Sequence, residues 1–367
     1  NICNIADGGI HIKRFVEYFG NKYNSFLISN KHIKNLKAKQ YKMRFGLPIL
    51  GHMNSAYRYI FSPFSIFEIR KIIDRKKTDI IQCHYVCPHG VIGALTKRHP
   101  LAIHVMGSDV LVGPNKSKLI KFLTKYALKS ADLITVAGQN CFNAIKEMGI
   151  NTNKVFILDY GVDTNKFKKK SKNKNIIKKL NIKEDVVISV RALEPLYDLK
   201  TLIKAIPIVI KELPETKFLI GNTGSQLNVL KKLVKKLGIE SNVIFIGHIE
   251  HEKLCDYYNI SDVYVSTSKS DGGISISTLE AMASELPVIS TDVGDVRKWI
   301  TNNKNGIIFN VGDSENLAIY ILKILKNKKI KKILGKRARQ VIIQKADFKK
   351  QMKQMEKLYK KILGDRL

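Results

Sequence analysis

In the segment Ser270 to Ala283, Gly272 and Gly273 stand just ahead of a helix-spaced apolar set, Ile276, Leu279, Met282 and Ala283. Two glycines permit a tight turn, and the free backbone N–H groups of a helix start, with the helix dipole, bind phosphate. Glu280 lies just inside that helix, where a carboxylate can accept hydrogen bonds from ribose hydroxyls. The same spacing also describes an ordinary helix start with a surface glutamate, and spacing alone does not separate the two. Cys83, His84, Cys87 and His89 form a second crowd, of metal-ligating types. Further ligands at zinc-like spacing are missing and the crowd falls where a strand opens into a loop, so no metal is expected there. The chain also offers no Asp-x-Asp pair to hold a metal, and no pair of carboxylates of the kind that glycoside hydrolysis requires.

The elements that must position these residues follow a βαβ rhythm. Asn1 to Ala6 reads as a strand running into a glycine loop, and Ile12, Phe15, Val16 and Phe19 then fall at helix spacing. Further strands are expected at Ser25 to Ser29, Asp79 to Cys83, Leu101 to Val105 and Leu133 to Val136. The charged, Asn-rich stretch Lys168 to Lys179 reads as a linker. The rhythm then restarts with strands at Val186 to Val190, Lys217 to Ile220, Val243 to Ile246, Val263 to Ser266, Pro287 to Ser290 and Gly306 to Phe309. A basic helical tail runs from about Leu317, with a break near Phe348. The expectation is two doubly wound α/β domains, 1–168 and 169–345, with 346–367 a helix crossing back to the first. Ligands of such sheets bind beyond the carboxyl ends of the strands, so function belongs in the loops that follow them.

Composition narrows the class. The chain has 367 residues, enough for two domains that each bury a core, and its apolar residues never approach the ~20 consecutive positions that span a bilayer. The 5 cysteines are scattered and odd in number, which points to a reducing cytoplasm rather than a disulfide framework. No secretory signal is visible at the start. The net charge of +33 favours anionic partners, yet its lysine runs, such as Lys168 to Lys178 and Lys323 to Lys332, equally suit a solvated surface. An anionic membrane surface is a candidate partner. Nucleic acid is not expected, because the aromatics sit mostly at core spacing rather than as a stacking platform.

Ser270 to Ala283, followed by Leu286 to Gly294, resembles the donor-site signature of glycosyltransferase family 4, the retaining enzymes of GT-B architecture. The resemblance runs over almost the whole chain. Gly8, Gly9 and Ile10 are similar to the family's N-terminal glycine loop; Asp79 to Tyr85 and Gly107 to Asp109 are similar to its acceptor-domain loops, and Ala131 to Thr135 and Gly161 to Asp163 match as well. The resemblance implies two Rossmann-like domains facing a central cleft, able to hinge at the linker and at the tail after Phe348. It implies a nucleoside-diphosphate sugar as donor substrate, a glycan or lipid-linked acceptor, no cofactor and no metal.

Residue by residue, the resemblance gives Glu280 the donor ribose and Gly272, Gly273, Ile274, Ser275, Ile276 and Ser277 the diphosphate. Arg191 matches the arginine that neutralises the leaving phosphate; a guanidinium stays charged and grips two oxygens at once. A salt bridge between domains is its plain structural alternative. Gly221 and Ile249 fall where the nucleobase would lie. Three departures stand out. The register of the family's first acidic residue falls on Gly272, with Asp271 one position early. The family's lysine after the arginine is replaced by Tyr197, with Lys200 further on. Met106 stands where many members have a histidine, leaving His104, His84 and His11 as candidates beside the sugar, with Tyr85 and Asp109 on the acceptor side. The expected reaction is retaining transfer of a sugar to a hydroxyl in surface polysaccharide or glycolipid assembly, in the cytoplasm or peripherally at the inner face of the plasma membrane. A GT-B sugar-nucleotide epimerase and a basic membrane- or nucleic-acid-binding protein are the alternatives.

Overall fold

The structure is a computed structural model describing residues 1–43, 60, 62–158 and 160–364. Residues 365–367 of the expected final helix lie outside the described residues. The chain divides into two compact units, one formed by Asn1–Tyr160 and the chain from Lys350 onward, the other by Gly161–Lys349. The stretch 168–179 thus lies within the second unit, where Asn173 caps a short helix, Lys174–Lys179. Phe167, immediately before it, is buried in that unit's core.

The first unit is a parallel sheet of β1 (Ile2–Ile5), β2 (Ser25–Ser29), β3 (Lys39–Lys42), β4 (Ile80–His84), β5 (Leu101–Val105), β6 (Leu133–Val136) and β7 (Val155–Ile157). Their order is β3-β2-β1-β4-β5-β6-β7. Every residue of β1, β2, β4, β5 and β6 is buried, as both faces of a parallel sheet must be when crossover helices cover them. The two strands not anticipated, β3 and β7, are the edges. β3 reads Lys-Gln-Tyr-Lys and is half exposed, so it lacks the apolar run that marks an interior strand. The helix Ile10–Gly20 buries Ile12, Phe15, Val16 and Phe19 on the sheet. The last helix, Phe348–Leu363, is tied to this unit by the Tyr359 hydroxyl, which donates to Gln82 Oε1 at 2.7 Å, and by a Lys22–Glu356 ion pair at 2.7 Å.

The second unit is a parallel sheet of β8 (Val186–Ser189), β9 (Lys217–Gly221), β10 (Val243–Gly247), β11 (Val263–Ser266), β12 (Val288–Thr291) and β13 (Ile307–Phe309), in the order β10-β9-β8-β11-β12-β13. The order reverses direction between β8 and β11, the topological switch point at which such sheets bind ligands. Helix Ile276–Ala283 follows β11 and packs against helix Lys328–Lys345 so closely that a Cβ on Gly335 would lie 2.0 Å from the Glu285 carbonyl oxygen. From the same long helix the Arg339 guanidinium donates to the carbonyls of Ala283, Phe167 and Thr164. A cation at the carbonyl end of the short helix both satisfies an orphan acceptor and favours its dipole.

Candidate functional site

At the switch point of the second unit, the loops after β8, β11 and β12 are bound to one another before they reach any ligand. Lys269 N–H donates to the Leu196 carbonyl at 2.8 Å, the Thr267 hydroxyl to the Tyr197 carbonyl at 2.8 Å, and the Thr291 hydroxyl to the Ser268 carbonyl at 2.7 Å. This frame carries Arg191, just past β8. Its Nη2 donates to Asp271 Oδ1 at 2.5 Å, and its guanidinium lies over the Tyr197 ring, 4.2 Å from the centroid. Burial works against the Arg191 charge, but Asp271, Tyr264 and Tyr197 outweigh it and raise its pKa. Arg191 Nε is buried and has no hydrogen-bond partner, a donor held ready for an acceptor.

Gly273 turns the chain at φ 99°, and its carbonyl accepts from Asp295 N–H at 2.7 Å. Gly294 closes the packing: a Cβ there would sit 2.1 Å from the Gly273 carbonyl oxygen and 2.7 Å from that of Asp271. Beyond Gly272 and Gly273, Ile274 anchors the turn in the core and Ser275 caps the helix, accepting from Thr278 N–H at 3.2 Å. Ile276 begins the helix. The Ser277 hydroxyl is within 2.8 Å of the Tyr264 hydroxyl, so its side chain braces the helix start against β11. Glu280 is one turn in and 2% exposed.

Glu280 Oε1 is held by His251 Nε2 at 2.7 Å, while His251 Nδ1 lies 3.0 Å from the Lys166 ammonium. An ammonium only donates, so Nδ1 accepts and Nε2–H donates to the carboxylate. Lys166, His251 and Glu280 therefore form a relay that fixes the carboxylate. His251 opens the helix His251–Ile260 just after Ile249. Its only signal in the sequence was its nearness to the loop Gly247 to Ile249; what makes it matter is a contact between elements. Ile249 lies over Gly221, where an added Cβ would be 2.8 Å from Ile249 Cδ1.

The remaining candidates lie in the first unit. Gly8 and Gly9 leave β1 at φ 103° and 118°, the second opening the helix that bears His11. A cavity of about 710 Å³ is lined here by Asp7, Gly8, His84, Tyr85, His89 and Met106, among others. His89 Nδ1 donates to the His84 carbonyl at 2.9 Å, and its Nε2 is 3.1 Å from Asp7 Oδ1. In the sequence Asp7 carries no signal beyond its place ahead of the glycine loop, and His89 none beyond its metal-ligating type. The Tyr85 hydroxyl is 2.9 Å from the Ser108 hydroxyl.

The histidines gather around Tyr160. His84 Nδ1 bonds the Tyr160 hydroxyl and its Nε2 is 3.1 Å from Asn4 Oδ1; burial, then the neighbouring His104 and His89, hold its pKa well below the usual range. The His104 ring lies tilted against that of Tyr160, 4.1 Å between centroids, bonds Thr135 Oγ1 at 2.9 Å, and is pushed by burial down to about 3. It lies within β5 beneath the surface, while Met106, past the strand end, lines the cavity. His11 is parallel to Tyr160 at 6.2 Å. Asp109 is buried and accepts from Val86 N–H at 2.9 Å and Met106 N–H at 3.1 Å; burial pushes its pKa up to about 6 against those bonds. It clamps two loops together. Among the described residues no three His, Cys, Asp or Glu side chains form a metal-binding group, and Cys83 packs against Gly93.

Two family models match this chain: "Glycosyl transferases group 1" over residues 145–341, more than half of it, and "Glycosyl transferase 4-like" over residues 1–138. It is 24% identical to the N-acetyl-alpha-D-glucosaminyl L-malate synthase of Bacillus anthracis, over 90% of this chain and 92% of that protein. It is 26% identical to the putative glycosyltransferase EpsD of Bacillus subtilis over 75% of each. Among solved structures, Anabaena HepE in complex with UDP and glucose superposes with TM-score 0.83 at 16% identity, over 97% of this chain and 98% of that one. Sucrose-phosphate synthase from Thermosynechococcus elongatus superposes with TM-score 0.81 at 18% identity, over 98% of each. With two parallel-sheet α/β units, and with family matches that together span most of its length, the chain belongs to the glycosyl transferases group 1 family and is a glycosyltransferase of GT-B fold.

Proposed function

We propose that this glycosyltransferase takes a sugar from a nucleoside diphosphate and passes it to a hydroxyl with retention, using no metal. The observation that carries the reading is the buried Arg191, whose Nε has no partner, beside the Gly273 turn and the start of helix Ile276–Ala283. Two fixed sources of positive potential then face one place, which suits a diphosphate. Glu280 accepts the ribose hydroxyls through the oxygen that His251 leaves open, and the Gly221 and Ile249 loops receive the base. The bond from the anomeric carbon to the diphosphate breaks, and the acceptor oxygen bonds that carbon on the same face. The departing phosphate takes the acceptor's proton. Arg191 and the backbone donors stabilise the charge that develops on it, the kind of preorganised electrostatics that supplies large catalytic terms. Tyr197 stands where a second cation is usual and acts by holding the guanidinium flat.

Three relatives support this reading. HepE binds UDP and UDP-glucose in its solved complexes, and a 24% identical relative over 56% of this chain is the alpha-monoglucosyldiacylglycerol synthase of Streptococcus pneumoniae. The Bacillus anthracis relative bears a name that describes sugar transfer to malate. The setting proposed is cytoplasmic assembly of a surface polysaccharide or glycolipid, with a glycan or lipid-linked acceptor and peripheral attachment to the membrane. No helix among the described residues is long and apolar enough to cross a bilayer. The test is thermal-shift binding of UDP, GDP and ADP to the wild type, Arg191→Ala and Glu280→Ala. Stabilisation by one nucleotide, lost in both variants, supports the donor site; none at millimolar concentration ends the proposal. Acceptor-dependent release of free nucleoside diphosphate separates transfer from epimerisation.

A further inference from the structure

Among the described residues, two helices of the first unit expose large apolar side chains. Helix Lys118–Ser130 buries Thr124, Ala127 and Leu128. At about 100° per residue, Phe122 falls on the side opposite this buried stripe. It is 67% exposed, with Leu119 beside it 49% exposed. A surface helix ordinarily places charged residues there. Lys118, Lys121, Lys125 and Lys129 flank the two apolar side chains, and no acidic residue occurs from Val110 to Ala131. A second helix, Pro63–Arg75, is buried in the same core through Ile66, Ile69 and Ile73, yet exposes Phe64 (74%) and Phe67 (67%) in its first turns.

Topology puts the starts of both helices at one edge of the sheet. Both helices are crossovers within one parallel sheet, after β3 and β5, so both run against the strands and begin at the sheet's carboxyl edge. The cavity bearing Asp7 and Tyr85 opens at that same edge, and it is lined by Lys116, just before the second of these helices, and by Ile120 in its first turn.

We infer that this edge docks on an anionic lipid bilayer. Phe122 and Leu119 enter the boundary between headgroups and acyl chains, while Lys118, Lys121 and Lys125 meet lipid phosphates. Lipid is favoured over a protein partner by the chemistry of the patch. Its apolar tips are separate and flanked by lysine ammoniums on long stems, which suits a fluid array of anions around an apolar layer. The inference deepens the proposed membrane setting: a lipid-borne hydroxyl would meet the cavity on the surface where the helix lies. It names a different surface from the lysine runs at 168–178 and 323–332.

The experiment is co-sedimentation of the full chain with vesicles of phosphatidylcholine alone, or with about a third phosphatidylglycerol, run in parallel with the nucleotide thermal shift. Binding is expected only to the anionic vesicles. A Leu119→Ser, Phe122→Ser double variant is expected to bind roughly tenfold more weakly, from two partly buried apolar side chains. Lys118→Gln, Lys121→Gln and Lys125→Gln each lower binding roughly fivefold, whereas Lys328→Gln with Lys329→Gln leaves it unchanged. None of these side chains is buried, Lys125 being half-buried and the others exposed, so the nucleotide shift persists in every variant. Anionic binding that is absent, or that survives the 119 and 122 changes, overturns the inference. So does a double variant that alters only the oligomeric state, which would mean that a second copy covers the face. Loss of the nucleotide shift in the wild type would instead sink the donor reading and leave the vesicle result standing.

Discussion

Asp271 holds Arg191 by a 2.5 Å hydrogen bond within an ion pair, the two side chains being 15% and 10% exposed. On the proposed donor reading the carboxylate occupies the guanidinium that a diphosphate would meet, and a ligand would have to displace it or share it. Asp271→Asn keeps a hydrogen-bond acceptor but removes the competing charge. It is expected to tighten nucleoside diphosphate binding about three- to tenfold by calorimetry, while Arg191→Ala weakens it tenfold or more. Weaker binding to the Asn variant would show that Asp271 orients Arg191 rather than competing for it.

His251 holds Glu280, so if Glu280 has its proposed ribose role, removal of His251 should be felt at the sugar of the nucleotide and not at the phosphates. His251→Ala is expected to reduce the discrimination between a nucleoside diphosphate and its 2′,3′-dideoxy analogue to a few-fold, from about tenfold or more in the wild type. Affinity for pyrophosphate stays the same. An equal loss for both nucleotides would mean that the relay is structural only.

Two glycines of the second unit separate packing from conformation. Gly294 has φ +60° and its missing Cβ leaves room for the Gly273 carbonyl, whereas Gly312 has φ +81° with nothing within 4 Å. Gly312→Ala costs only the left-handed conformation, about 1–2 kcal/mol. Gly294→Ala must also push away the turn that carries Asp271 and Gly273, so it is expected to cost roughly 3 kcal/mol in denaturant melts. Nucleotide affinity falls with it, and is unchanged in Gly312→Ala.

The buried His104 ties stability to pH. Its folded pKa is about 3 against an ordinary value of 6.5, so below pH 6.5 the unfolded chain binds a proton that the folded chain refuses. Its contribution therefore falls as pH drops through 6.5 towards 3. At pH 5 the penalty from this group is about 2 kcal/mol. Urea denaturation at pH 7 and pH 5 should show a smaller decline for His104→Gln than for the wild type; equal declines would refute the assignment.

What the sequence alone determined was the part written in local chemistry. Interior strands such as Leu101–Val105 are apolar on both faces but for single residues such as His104, and the helix of Ile12 to Phe19 repeats at its period, so the two parallel-sheet units were legible. The turn at Gly272 and Gly273 and the helix carrying Glu280 were legible for the same reason, because backbone freedom and periodicity are set by neighbouring residues. The edge strands of the first sheet were not: Lys39–Lys42 takes its structure from pairing with β2 rather than from burial of its own side chains. Only the tertiary structure decided the partners across loops. Asp271 meets Arg191 from a position 80 residues away, His251 reaches Glu280 across 29, and Gly294 makes room for Gly273. It also sank His104 beneath the surface while leaving Phe122 outside, because which side of an element is covered depends on what packs against it.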